Sequence, residues 1–195
     1  MKGRLLDLAR ISLPLVVICT LMVALIAAVN HFTAPVINEN EKALFNQSVK
    51  DLFGLSKNEE PTVDPLHLPE NELLPSGALA AYAVKMGEKQ LGYCMEVTGS
   101  GAYSEDLRML VAIDGDGQII DLCCLASSET PGKGDKVLND GFYSTYYLGR
   151  TVDEITSADP PILSGSTKTA TALYNAVDCA LALYQTLTVQ KGDGA

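Results

Sequence analysis

The chain has 195 residues, 47% of them hydrophobic and 19% charged, with 14 Lys/Arg against 24 Asp/Glu and a formal net charge of −10. That length accommodates one sizeable domain, or a modest domain and something else, because single domains usually run to about 100–200 residues. So acidic a chain repels nucleic acid and anionic lipid, and no nucleic-acid partner is expected.

Residues 11–29, ISLPLVVICTLMVALIAAV, hold no formal charge over 19 positions, close to the ~20 that cross the hydrocarbon as a helix. A secretory signal is the rival reading, since Lys2, Arg4 and Arg10 precede the run. Its apolar core would be only about 7–15 residues long and would end at a small-x-small cleavage site. Here the run passes into AAVNHFTAP with no such site, so an uncleaved single-pass anchor is expected at 11–30. The next basic residue after Arg10 is Lys42, flanked by Glu39 and Glu41, which places residues 1–10 in the cytoplasm and the rest outside the cell membrane. Beyond Asn30 there remain 11 Lys/Arg and 23 Asp/Glu, a net of −12.

Residues 31–76 read as a juxtamembrane helix and a Pro-rich linker. Over 38–53, Phe45, Val49, Leu52 and Phe53 alternate at helical spacing with Glu41, Lys42, Gln47 and Lys50. Pro61, Pro65, Pro69 and Pro75 then punctuate 56–76 as a linker or extended loop. A compact domain is expected over 77–190.

Within it the period changes to two. Residues 81–86 and 91–97, joined by 87–90, form one hairpin pattern; 108–113 and 118–126, joined by DGDG at 114–117, form a second. DGDG is no calcium loop of the EF-hand type, because the twelfth position from Asp114 is Leu125 rather than Glu. A short Tyr-rich helix or pair of turns follows at 137–147. Residues 169–187 carry one apolar stripe, Ala170, Leu173, Val177, Ala180, Leu181 and Tyr184, and predict a helix. The fold class expected is α+β, an antiparallel sheet with packed helices, preceded by one N-terminal transmembrane helix.

Of the five cysteines, Cys19 lies in the span; Cys94, Cys123, Cys124 and Cys179 lie outside, where disulfides are chemically allowed. There is no C-x-x-C, and His31 and His67 stand far from any Cys, which argues against a metal site. Cys123 and Cys124 are adjacent on a predicted strand and point to opposite faces.

Two stretches are richer than structure alone requires. ILSGSTKTATAL, 162–173, offers five hydroxyls around Gly165 just ahead of the predicted helix. One hydroxyl suffices to cap a helix, for about 1 kcal/mol. A helix N-terminus also attracts anions, phosphate above all, and glycine lets backbone approach them. SSETPGKGDK, 127–136, ends the fourth predicted strand as a rigid exposed loop. Neither stretch has the spacing of a P-loop.

Together, GxxxxVxGxG from Gly92, IDxDGxI from Ile113, ETPGKGDK from Glu129 and SGSTKT from Ser164 resemble the FMN-binding domain. That domain is shared by the G subunit of Rnf/Rsx electron-transport complexes and the C subunit of the sodium-translocating NADH:quinone reductase. The resemblance runs from about Gly92 to Leu187 and is closer to the Rnf G subunit. It implies that Thr167 carries FMN covalently through a phosphodiester. Ser164, Gly165, Ser166 and Thr169 would shape that site, and Glu129, Thr130, Pro131, Gly132 and Gly134 would lie beside the flavin. Ser166 stands where the family has Ala, and Pro161 where family members often have Asp, with Asp159 two residues earlier.

The resemblance further implies a flavin transferase that uses FAD as donor, partner subunits of an Rnf-type membrane complex, and a role as electron relay in an ion-translocating ferredoxin:NAD oxidoreductase. No catalytic His, triad or paired carboxylate is evident, as suits an electron carrier. Two alternatives stay open on the residues alone. One is an anchored assembly or binding protein in which SGSTKT is only a cap; the other is an FMN domain feeding a different extracytoplasmic reductase.

Overall fold

The computed structural model describes residues 2–68, 74–102, 106–127, 134–139, 141, 146–156 and 164–192, with the side chains of 2–12, 135, 136, 139 and 189–192 left aside. Two units, Met1–Leu44 and Phe45–Ala195, make up the chain. The first is helical throughout its described length: helix α1, Lys2–Leu52, runs through Pro14 and Pro35 and ends inside the second unit. Among the described residues it is the one helix long and apolar enough to cross a membrane. Leu13, Val17, Leu21, Leu25 and Val29 are all exposed, as side chains that face lipid must be.

The second unit holds a five-stranded antiparallel sheet in the order β1-β2-β3-β4-β5. Its strands are β1 Thr62–Pro65, β2 Ala78–Met86, β3 Lys89–Gly99, β4 Leu107–Ile113 and β5 Ile119–Ala126. Both hairpins read from alternation are present. The additional strand departs from expectation: Thr62–Pro65 lies in the Pro-punctuated stretch read as linker, yet it pairs with β2 from Thr62↔Lys85 to Pro65↔Tyr82. A four-residue edge strand is too short to show period-two patterning, and an edge tolerates proline because one side of its backbone needs no partner.

Alternation assigns each strand residue to a face. Met95, Val97, Leu107, Met109, Val111 and Ile113 point to one side and form the larger core with helix α4, Thr167–Gly192. Cys94, Leu110 and Ala112 point to the other side, where Val49 and Leu52 from the end of α1 cover them. Phe45 adds a ring contact to Tyr82 at 4.9 Å. The second unit is therefore three layers deep, helix on sheet on helix. At about 1.5–3 kcal/mol for each fully buried large apolar side chain, these two cores are the main stabilising term. Cys123 and Cys124 do fall on opposite faces.

Two smaller helices, α2 Gly134–Asn139 and α3 Val152–Thr156, pack on α4. Thr151 caps α3: its N–H donates to Glu154 Oε2 at 3.0 Å, its hydroxyl donates to the same oxygen at 3.3 Å, and its carbonyl accepts from Ile155 N at 3.1 Å, the Glu side of a Thr-x-x-Glu capping box. The DGDG segment is a turn. Asp114 Oδ1 accepts the N–H groups of Asp116 and Gln118, both at 2.9 Å, and Gly117 sits at φ +84°. Tyr184 of α4 donates its hydroxyl to the Gly115 carbonyl at 3.0 Å, tying the helix to that turn.

One buried carboxylate organises the α1-side face. Glu96 on β3, only 5% exposed, accepts from Arg108 Nε on β4 at 2.7 Å and from the Tyr82 hydroxyl on β2 at 3.2 Å. Three neighbouring strands are thereby linked in one register, and the charge is offset as a buried carboxylate requires.

All five cysteines carry free thiols. Cys94 and Cys123 share a face, but β4 runs between their strands, which leaves them about 9 Å apart or more at ~4.8 Å per strand, beyond disulfide reach. Burial is the main reason Cys94 and Cys123 resist ionisation, pushing Cys123 up to about 11 against a Ser48 hydrogen bond that lowers it, and Cys94 still higher.

This packing can be tested at two points. A Cβ on Gly99 would collide with the Ala172 carbonyl of α4, so Gly99→Ala should destabilise the domain by about 1–3 kcal/mol in chemical denaturation; a neutral result would mean that α4 does not lie on β3 here. The thiolate form of a group with raised pKa is scarce at neutral pH and grows as pH rises, so Cys94 and Cys123 should resist alkylation at pH 8 in the folded chain. Both should label fully once it is unfolded.

Candidate functional site

The hydroxyl-rich stretch forms the start of α4. Ser166 precedes the helix, and its carbonyl accepts the Ala170 N–H at 3.0 Å, which makes it the capping residue. Gly165 just before it has φ +87°, a backbone conformation that L side chains rarely adopt, and among the described residues nothing beyond its chain neighbours lies within 4 Å of where a Cβ would stand. The chain thus turns sharply into the helix at an exposed corner. Ser164 and Gly165 are both exposed.

The three hydroxyls that follow have different fates. Ser166 is buried at 4% exposure; Thr167, the first helical residue, faces solvent; Thr169 is fully buried. Successive helical residues turn by about 100°, so Thr167 and Thr169 lie on nearly opposite sides of α4. Thr171 is exposed and donates its hydroxyl to the Thr167 carbonyl at 3.0 Å. Thr167 is therefore the accessible hydroxyl in the first turn of a 26-residue helix. The first N–H groups of such a helix have no carbonyl one turn back, and its dipole is positive there.

Thr169 adds an observation that sequence reasoning missed. Its Oγ1 is buried with no hydrogen-bond partner among the described residues. A buried, unsatisfied hydroxyl costs about 1–3 kcal/mol, and such groups concentrate where a ligand or water completes the structure. No sequence signal distinguishes it from the hydroxyls on either side, because burial of an early helical residue depends on what packs beneath the helix.

Of the second loop, Gly134 is buried at the start of α2. Glu129, Thr130, Pro131 and Gly132 lie outside the described residues, as do Pro161 and Asp159. The geometry brings Ser164, Gly165, Ser166, Thr167 and Thr169 together at one corner, and α2, which Gly134 heads, packs against the same helix. That corner fits a phosphate ester: an exposed hydroxyl to carry it, a glycine turn with room beside it, and a positive helix end.

Residues 102–182 match the model of the FMN-binding domain family. These residues are an FMN-binding domain. The matched range opens in the β3–β4 loop and closes within α4, so it contains β4, β5, α2, α3 and the Ser164–Thr169 corner. The chain is also similar to the G subunits of several ion-translocating oxidoreductase complexes. It shares 28% identity over 180 residues with the G subunit of the ion-translocating oxidoreductase complex of Escherichia coli K12, covering 85% of each chain. Identity is 24% over 180 residues with the G subunit of the proton-translocating ferredoxin:NAD(+) oxidoreductase complex of Clostridium ljungdahlii, covering 89% of this chain and 90% of the relative. With the G subunit of the Na(+)-translocating ferredoxin:NAD(+) oxidoreductase complex of Acetobacterium woodii it is 26% over 124 residues, covering 58% and 59%.

Thr169→Val, which keeps the shape and removes the hydroxyl, should stabilise the flavin-free FMN-binding domain by about 1 kcal/mol in a thermal melt. A loss of stability would instead show that Oγ1 is satisfied in the folded chain.

Proposed function

We propose that this chain is the flavin-carrying electron relay of an Rnf-type, ion-translocating ferredoxin:NAD oxidoreductase, and that it holds FMN on Thr167 through a phosphodiester. The observation that supports this reading most is the contrast at the α4 corner: inside an FMN-binding domain, Thr167 is exposed where Ser166 beside it is buried. A transferase must reach the hydroxyl it modifies, and an exposed first-turn threonine on a glycine turn offers that access. In the transfer, Thr167 Oγ1 bonds to the phosphorus of the FMN half of FAD, the pyrophosphate bond breaks, AMP leaves, and the hydroxyl proton goes to solvent or to a transferase base.

Magnitudes favour a covalent tether over simple binding. An exposed helix terminus contributes about 0.3–1 kcal/mol to an anion, a few-fold in affinity, and Lys168 is itself exposed. That is too little to retain a cofactor outside the cytoplasm. The same terminus suffices to orient a phosphodiester already bonded to Thr167, with Gly165 leaving room beside it. When bound, the flavin supplies the one- and two-electron chemistry. The chain's part is to fix the corner through α4, keep the attachment oxygen accessible, and hold the domain at the membrane. Residues 1–10 are cytoplasmic and the FMN-binding domain is extracytoplasmic, on the distribution of Lys2, Arg4, Arg10, Glu39 and Glu41.

The test is in-gel flavin fluorescence of the full chain produced with a flavin transferase and run under denaturing conditions. The wild type and Ser166→Ala should fluoresce and Thr167→Ala should be dark. Fluorescence that survives Thr167→Ala and disappears in Ser166→Ala would place the bond one residue earlier; a colourless wild type would favour an anchored binding protein without flavin.

A further inference from the structure

The larger core is not filled to its edge. Where β3 begins and α4 ends, a cavity of about 190 Å³ opens to solvent on one side. Met95, fully buried on β3, lies at its base; Leu66 from the end of β1 and Leu187 from α4 add aliphatic walls, and Tyr93 and Tyr184 supply aromatic surface. Tyr184 stands well beyond Thr167, about 25 Å along α4 at 1.5 Å per residue. The cavity is therefore separate from the flavin corner.

Protein interiors leave few voids larger than a water molecule, and here the walls are held apart. Leu66 continues the β1–β2 ladder, its N–H donating to the Ala81 carbonyl at 2.8 Å. Tyr184 is fixed by its hydroxyl bond to the Gly115 carbonyl and by an edge-on contact with Tyr93, ring centroids 5.5 Å apart. Thr188, also in the lining, spends its hydroxyl on the Tyr184 carbonyl at 3.0 Å. The cavity is preformed, as small-molecule sites usually are.

Its chemistry selects one kind of occupant. An apolar cavity of about 150 Å³ takes up benzene, so a single six-membered ring fits here. Such a ring packs favourably against tyrosine rings and against the thioether of Met95. Unspent polar groups remain in the lining: the His67 imidazole and the Tyr93 hydroxyl have no hydrogen-bond partner among the described residues. The ring must be uncharged. Burial first, and then Tyr93 and the Asp114 and Asp116 carboxylates, push the Tyr184 phenol above the ordinary tyrosine value, and an anionic ring beside it meets the same penalty. No carboxylate stands among the described lining residues, so a cation would lose its hydration without a counter-charge. We propose that this cavity binds a small neutral phenol-type molecule, its ring against Tyr93, Tyr184 and Met95 and its hydroxyl donating to His67. The site stands whether or not Thr167 carries FMN.

The test is methionine-methyl NMR of the full chain in detergent micelles, titrated with phenol. Met95 reads the cavity, and Met22, in the span, reads phenol dissolved in the micelle. The Met95 methyl should shift and saturate with a Kd on the order of 1 mM, while Met22 drifts without saturating. Benzene, which lacks the hydroxyl, should bind about threefold to tenfold more weakly, and His67→Ala should bring phenol down to the level of benzene. Leu187→Trp, which fills the cavity, should weaken phenol binding about tenfold or more, with the Met109 methyl unmoved as the mark of an intact core; Leu66→Phe, from the other wall, should do the same. A Met95 methyl that only follows Met22, benzene bound as tightly as phenol, phenol affinity retained in both filled variants, or tetramethylammonium bound in place of phenol would overturn the assignment.

Discussion

The constraint on which the site depends is the close approach of α4 to β3 at Gly99. The absence of a Cβ there lets the helix backbone at Ala172 rest directly on the strand, and Asn175 fastens the same region by donating to the Ser100 carbonyl at 3.0 Å. Five residues before Ala172 stands Thr167, so the contact sets how far the helix start projects from the sheet. Because α4 can press no closer to β3, its first turn emerges at the domain corner with Ser166 and Thr169 turned in and Thr167 turned out. At the far end, Tyr184 against the Asp114–Gln118 turn keeps the helix from rotating about its axis.

Selection among adjacent hydroxyls then becomes a matter of geometry. Three residues of similar chemistry stand within four positions, and only their placement around the helix axis separates them. Ser166 caps the helix through its backbone carbonyl and is buried; Thr169 is enclosed and without a partner among the described residues. What the chain offers to a transferase is a solvent-facing threonine on a glycine turn, and what it offers to a bound flavin is position and a weakly positive helix end. An electron carrier asks little more of its protein than this.

Much of the fold is legible in the sequence because it rests on short-range signals. Alternation marks four of the five strands, DGDG marks a turn, and the stripe from Ala170 to Tyr184 marks α4. β1 escapes because four residues ending in proline carry no usable period; its place is decided by pairing with β2, a contact with no trace in local sequence. The Glu96, Arg108 and Tyr82 network is equally hidden, since it joins three strands whose register must be known first. At the site, SGSTKT marks the corner, but the burial of Ser166 and the enclosure of Thr169 depend on the layers beneath α4. Past the anchor, the helix read over 38–53 is present as the end of α1 at Leu52, while its continuity with the span is hidden by Pro35, which reads as a break.

Flavin attachment comes down to one oxygen atom. Peptide mass spectrometry on the chain matured in its own cell, with fragmentation across Ser164–Thr171, locates any flavin phosphodiester to a single residue. An FMN-sized addition is expected on Thr167, with Ser166 and Thr169 unmodified. An addition on Ser166, or a peptide without flavin from chain that has met an active transferase, would contradict the assignment.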